Sequence, residues 1–496
     1  MQKKYTKMKI NINSKIKMLS VASSILLLIG CAGNRTADPA AMNNHLNQSN
    51  FQAIAAQYLK DGKPNFDREN LIDALEAGKA FNDAGMWAQS RDAFDVAHKH
   101  LPWKEDSVDT PGEVMNLVGT TLTSSAFGKY QGKIYEGGLI SYYQSINALM
   151  LGEESDARVE FNRFDERMEN AKTQFAAYVK SIKEENNKSL AGDVAPSAQQ
   201  SMSSISQEIN IGKAEVPNRP QNAKVTNAAG QFMSGAFKVT SSNNYDKDAN
   251  LIGRSFKEAV SAASTREGSR LASSAMQQFA SKKTVPKGKV FVLYEDGTGP
   301  TFTEFRVDLP LFLLTDKVTY SGIALPKFVP GKPAFGKLNL GGKTNTAEMT
   351  NITWLAGMDF DVAYPGIVTK AITSTVIKTA AQVAANAAID NEVEDQFMGN
   401  LLKLGVGVAQ AATTQADVRA WANLPNSIQV AVIDKPSTNL LSVNASSGEK
   451  LLEVKLPDAE NVMVLIKASG SGGVPTAYVK GLPVKPEPQQ VQVAQK

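Results

Sequence analysis

The chain has 496 residues but one cysteine, three histidines and four tryptophans. A single thiol allows no intrachain disulfide, and so few thiols and imidazoles leave little material for a metal centre or a nucleophile. No cofactor or metal is expected. Aromatic residues make up 7% of the chain, and no basic block is interleaved with them, which disfavours nucleic-acid binding. No apolar run approaches the ~20 residues needed to cross a bilayer. What is present, 42% hydrophobic and 21% charged residues, suits a globular chain of roughly three domains.

The net charge of +4 is misleading as a whole-chain property. Lys3, Lys4, Lys7, Lys9, Lys15 and Lys17 fall in the first thirty residues with no acidic residue among them, so the remainder carries 47 basic against 49 acidic side chains. The basic start runs into an apolar segment from Met18 to Gly30, too short for a transmembrane helix and of the length of a signal-peptide core. The segment ends in Leu28-Ile29-Gly30-Cys31, which resembles the lipobox of bacterial lipoproteins. That resemblance implies cleavage before Cys31, acylation of its thiol and attachment to a membrane through the lipid. Ala32, where an aspartate is the usual inner-membrane retention signal, points to the outer membrane, facing the periplasm.

The rest of the chain predicts an α+β protein. Residues 31–50 are polar and predict a flexible tether spanning roughly 25 Å. From 51 to 180 the pattern is helical. Residues 71–104 place Gly78 and Phe81 on one helix, Gly85 and Trp87 in a turn, Phe94 and Ala97 on the next helix and Pro102 after it. This resembles the tetratricopeptide repeat, in which a small residue lets a second helix approach and aromatic residues fill the groove. Ala74 and Ser90 depart from its usual tryptophan and alanine. A second hairpin, over 138–171, keeps Gly152, Ala157 and Phe161, and a further helical hairpin is expected over 246–287. Residues 181–245, rich in Ser, Asn, Gln and Ala, read as a linker or insertion. From 288 to 482 the pattern becomes a mixed β/α domain, with alanine-rich helices near 366–388 and 391–414 and a small antiparallel sheet or sandwich after them. The Pro/Gln-rich residues 483–496 read as a disordered tail.

The segments Tyr130 to Glu136 (YQGKIYE), Ala157 to Glu160, Val290 to Pro300 (VFVLYEDGTGP), Ile323 to Pro326 and Ala416 to Trp421 with Leu424-Pro425 resemble, in order, those of a family of uncharacterised bacterial outer-membrane lipoproteins. The resemblance implies tetratricopeptide-like helices ahead of a C-terminal region, and assigns no catalytic residue.

Candidate chemistry is sparse. Residues 336–344 (GKLNLGGKT) end like a phosphate-binding loop but have five residues, not four, before Gly342-Lys343, so a strand connection is expected. His98 and His100 suit a helix C-terminus better than a metal site, and His45 stands in the tether. Glu295-Asp296 and Asp359/Asp361 could act as paired carboxylates on glycans; a turn and the wet face of a strand are the plainer readings. Trp87, Trp103 and Trp421 are expected to pack in the core. These features favour a non-catalytic scaffold that docks a protein partner in the cell envelope, and the alternative is a cell-wall or glycan-active enzyme using the C-terminal carboxylates.

Overall fold

The computed structural model describes residues 36–101, 129–189, 200, 202–218, 224–242, 244–309, 321–389 and 415–483. The lipobox residues Leu28, Ile29, Gly30 and Cys31, together with Pro102, Trp103, the 391–414 segment and the tail beyond 483, lie outside them.

Residues 36–50, expected to be tether, belong to the folded body. Helix α1 (Pro39–Asn47) starts with Pro39 at its first position and Asp38 as N-cap, whose side chain accepts from the Ala40 amide. Asn50 caps α2 (Phe51–Ala56) in the same way. Met42 and Leu46, four apart on one face, are buried with Phe51, Ile54 and Tyr58 against Ala77, Ala80 and Phe81. Thr36 is fixed by two hydrogen bonds to Asp73, from its amide (2.8 Å) and its hydroxyl (2.6 Å). Asn and Gln dominate the composition here, yet one capped turn with two apolar residues on a single face is enough to dock. A short ribbon of β1 (Leu59–Lys60) and β2 (Lys63–Pro64) follows.

Helices α3 (Leu71–Asp83) and α4 (Trp87–His100) form the predicted hairpin, turning through Gly85 at φ +74°. Gly78 explains the close approach: a Cβ there would lie 2.7 Å from the Phe94 ring. Ser90, standing where the repeat has alanine, donates to the Gly78 carbonyl at 2.8 Å. Helix α5 (Ile134–Leu151) ends on Gly152 in the left-handed conformation and turns into α6 (Glu154–Ser189). Helix α7 (Ser206–Asn210) leads into a 3₁₀ turn at Ile211–Lys213.

Helix α8 (Ala228–Thr240) lies inside the segment expected to be a linker, and every one of its residues is buried. Its small and aromatic residues are enclosed by neighbouring helices and by the main sheet, a composition that resembles low complexity when the helix is fully enclosed. It packs on α9 (Tyr245–Ala262), which is followed by α10 (Arg266–Ala275) and a π turn at Met276–Ser281.

The strands are β3 (Lys289–Asp296), β4 (Thr301–Leu309), β5 (Ser321–Val329), β6 (Leu338–Leu340), β7 (Thr344–Asn345) and β8 (Ala347–Asn351). After helix α11 (Ile352–Ile389) come β9 (Ser427–Asp434), β10 (Leu440–Ala445), β11 (Lys450–Lys455), β12 (Asn461–Ala468) and β13 (Thr476–Leu482). The main sheet has the order β13-β12-β3-β9-β8, antiparallel except for the parallel pair β12 and β3. One face, with Phe291, Leu293, Met463 and Leu465, closes the helical core. The other, with Val290, Val292, Val462 and Val464, packs on the small sheet β11-β10-β6-β7. Both faces are therefore covered, which is why β3 and β12 read as continuous apolar runs. Residues 336–344 are a strand connection, β6-turn-β7, with positive φ at Gly336, Gly341 and Gly342. The architecture is α+β, with helices ahead of strands.

Candidate functional site

Period-two alternation along β3 separates the first candidate pair, since consecutive strand residues point to opposite faces. Glu295 falls on the helix-facing side, where it meets α3. Lys79 and Asp83, one turn apart on α3, form an ion pair, and Lys79 Nζ lies 3.1 Å from Glu295 Oε2. Lys467, beside Glu295 in the β12–β3 register, reaches Asp83 Oδ1 at 2.8 Å and Glu295 Oε2 at 3.6 Å. All four side chains are at most 3% exposed. Two cations and two anions thus form a neutral buried quartet. Lys467 also donates to Asn82 Oδ1, and the Asn82 amide continues the network to Asn147 Oδ1 at 2.7 Å. The Tyr143 ring lies 5.3 Å from Lys79 Nζ and 5.8 Å from Lys467 Nζ.

Burial pulls the Lys467 ammonium below the usual lysine range against the pull of Asp83 and Glu295, with Lys79 adding to the depression. Burial also opposes charge on Lys79, but Asp83 and Glu295 outweigh it and leave its pKa raised. Sequence reasoning missed Lys79, Asp83 and Lys467 because nothing local distinguishes a buried lysine in a helix or strand from a solvated one. The i,i+4 spacing of Lys79 and Asp83 was the only available hint.

Asp296, one residue on, points to the opposite side. Its Oδ1 accepts from the Tyr294 hydroxyl at 2.6 Å and the Ala334 and Phe335 amides at 2.9 and 3.1 Å, pinning the 332–336 turn. Burial raises its pKa although these hydrogen bonds oppose the shift. Glu295 and Asp296 are therefore buried strand residues, not a turn. Asp359 and Asp361 stand in helix α11, not on a strand: Asp359 is buried and lies 3.2 Å from Lys133 Nζ, while Asp361 pairs with Lys213 at the surface. The four carboxylates occupy four separate settings with different partners.

A second buried cluster involves residues that carried the family resemblance. The Glu136 carboxylate accepts from the Tyr130 hydroxyl at 2.7 Å and the Lys133 amide at 2.8 Å, closing a cap at the start of α5. Burial pushes Glu136 up to about 7, more than Tyr130 and Lys133 can offset. The Arg419 guanidinium, paired with Asp417, lies 5.8 Å from the Tyr130 ring centroid. The YQGKIYE and ADVRAW segments thus meet in space. A capping-box search would have overlooked Glu136, because lysine stands where serine or threonine is sought.

The repeat-packing residues are structural. Gly78, Phe81, Phe94 and Ala97 lie within α3 and α4, Gly85 makes the turn, and Trp87 opens α4. Phe94 stacks on Tyr143 (centroids 5.6 Å apart) and meets Trp421 edge-on at 5.8 Å, and Trp87 meets Tyr478 at 4.9 Å. The hairpin is covered by helix α5, by strands β3, β12 and β13 and by the 415–426 segment of the same chain. His98 Nδ1 lies 3.1 Å from Arg167 Nη2, and His100 Nε2 lies 2.8 Å from the Arg68 carbonyl. Among the described residues no group of three or more His, Cys, Asp or Glu is placed to hold a metal ion, and no helix is long and apolar enough to cross a membrane.

One cavity, of about 70 Å³, opens where α9 ends and α11 begins, between Lys224, Thr226, Ser264, Asn351, Trp354 and Met358. Comparison with protein-family models, with curated proteins and with solved structures finds no match for the chain.

Proposed function

We propose that the protein is a lipoprotein, anchored by an acylated Cys31 to the outer membrane and facing the periplasm, and that it serves as a non-catalytic scaffold for a protein partner. The anchor rests on the lipobox-like Leu28-Ile29-Gly30-Cys31, which holds the chain's only cysteine. The observation that carries the scaffold reading is the placement of Glu295, Asp296, Asp359 and Asp361: each is committed to its own internal or surface partners, and they share no cleft. Paired glycosidase carboxylates would have to stand about 5–10 Å apart across one substrate site. Because the α3–α4 hairpin is covered by the rest of the chain, a partner would meet other helices, and Val159 of α6 and Leu251 of α9 are exposed.

The test has two parts. Cells expressing the full chain are labelled with radioactive palmitate; the wild type should carry label and fractionate with the outer membrane, and Cys31→Ser should do neither. Photo-crosslinkers at positions 159 and 251 of the lipidated protein should capture the same envelope protein, identified by mass spectrometry. Release of fragments from purified cell wall by the full-length protein, lost in Glu295→Gln or Asp359→Asn, would overturn the non-catalytic reading.

A further inference from the structure

Lys467 reaches from β12 to the end of α3, and what it touches there is an amide as well as two acids. Its Nζ contacts Asn82 Oδ1 and stands 2.8 Å from Asp83 Oδ1 and 3.6 Å from Glu295 Oε2. The contact with Asn82 sets an amine nitrogen one covalent bond away from an electrophilic carbon, the amide Cγ. The amide is held from its other end as well: Asn82 Nδ2 donates to Asn147 Oδ1 at 2.7 Å, and Asn147 Nδ2 donates to Ser90 Oγ at 2.9 Å. Asn82 is fully enclosed and Lys467 is 1% exposed, so bulk water is kept from the carbonyl.

Attack on an amide needs a neutral amine, a proton acceptor and positive charge near the developing oxyanion. Burial disfavours the Lys467 ammonium, and Lys79 opposes it further, against the pull of Asp83 and Glu295. Lys79 is also the second cation of the cluster and offsets negative charge growing on Asn82 Oδ1. No hydrogen bond among the described residues engages either Glu295 oxygen, so its lone pairs are open to a proton. The buried Tyr142 and Tyr143 hydroxyls also lack hydrogen-bond partners there, and burial and the Glu295 charge hold both phenols protonated. Groups fixed in contact react as if at effective concentrations of about 10⁵–10⁸ M, which is what an otherwise inert amide requires.

We propose that Lys467 and Asn82 become joined by an isopeptide bond within the folded chain. A proton passes from Lys467 Nζ to Glu295, and the free amine attacks Asn82 Cγ. The Cγ–Nδ2 bond then breaks, the departing nitrogen takes a second proton from the attacking one, and ammonia leaves. The Nζ–Cγ amide remains, Glu295 keeps the first proton, and no oxidant or cofactor enters. The bond ties β12 to α3 across 385 residues, in a chain whose single cysteine allows no intrachain disulfide.

The test is mass spectrometry of the full chain after digestion with trypsin, which cuts after Lys79, Arg91, Lys455 and Lys480 but not after an acylated lysine. The expected product is a branched peptide, residues 80–91 joined to 456–480, lighter than the sum of its parts by about 17 Da, the mass of ammonia. Lys467→Arg keeps the positive charge but lacks the amine, and it should give only linear peptides, as should Asn82→Ala and Glu295→Gln. Linear peptides alone from the wild type, even after prolonged incubation of the folded protein at mildly alkaline pH, would overturn the bond. So would an ammonia loss that persists in Lys467→Arg, which is an asparagine closing on its own backbone. A loss of about 18 Da, with fragmentation placing the branch on Asp83, would overturn the assignment to Asn82. An equally complete branch in Glu295→Gln would overturn the proton step.

Discussion

Replacing Glu136 by glutamine isolates the energetic effect of one buried charge. The side chain is enclosed, with the Tyr130 hydroxyl on one oxygen and the Lys133 amide on the other, and Lys133, Asp359 and Tyr135 as the neighbouring titratable groups. Burial lifts the carboxyl from the ordinary 4.5 to about 7. An acid whose pKa is higher in the folded than in the unfolded state contributes stability that is complete below about pH 4.5 and is lost as the pH rises through about 7. The gap corresponds to about 3 kcal/mol. Glutamine preserves the shape: its Oε1 accepts from Lys133 and its Nε2 donates to the Tyr130 oxygen, but no charge forms. Urea unfolding of both proteins from pH 4.5 to 8 supplies the measurement. The stability of Glu136→Gln minus that of the wild type should rise by about 3 kcal/mol across this range. Subtraction cancels the groups that titrate alike in both proteins, including the three histidines. A difference that stays flat with pH would refute the claim that burial dominates at Glu136.

Two further perturbations test the packing. Gly78→Ala, which pushes a methyl group into the Phe94 ring, should cost about 1–3 kcal/mol by urea unfolding; a neutral result would mean that α3 and α4 can separate freely. Lys467→Met should cost about 3–5 kcal/mol, because Asp83 and Glu295 are left with one cation between them. Adding Glu295→Gln to it should recover part of that loss, and strictly additive losses would show that the four groups do not act as a unit.

The sequence made the local geometry legible wherever one residue type had one physical use. Gly85 and Gly152 marked turns because they take positive φ, and Gly78 marked a close helix approach because no Cβ fits beneath Phe94. Short apolar runs bounded by turn residues marked β3, β9 and β12. Composition failed where burial was complete on all sides: α8 carries Gly, Ser, Ala and Gln because neighbouring helices and strands enclose it, and these residues also make linkers. The polar residues of α1 hid a docking face of just Met42 and Leu46. Glu295 and Asp296 look like a turn because acids precede Gly297, yet strand pairing on both sides of β3 carries them into the interior. The quartet itself could not be read at all, since Lys467 meets Asp83 across 384 residues.

That separation bears on how the helical part can be used. Asn423 donates to the Glu76 carbonyl at 2.8 Å, and Ser469 donates to the Leu46 carbonyl at 2.6 Å, across 347 and 423 residues. Helix α3 is buried along its whole length by α1, α2, α4 and α5 together with the 415–426 segment and strands β3, β12 and β13. Produced without the strands, residues 36–287 would leave Lys79 and Asp83 without Lys467 and Glu295, and Trp87 without Tyr478. The repeat-like hairpin packs on the following hairpin through α4 and α5, and strands of the same chain close the core around both. Long-range closure of this kind also delays folding until the last strands are available, since loop closure precedes the contacts that reward it. On the proposed scaffold reading a partner would meet the finished outer surface, which is why crosslinking from α6 and α9 in the full chain is the test.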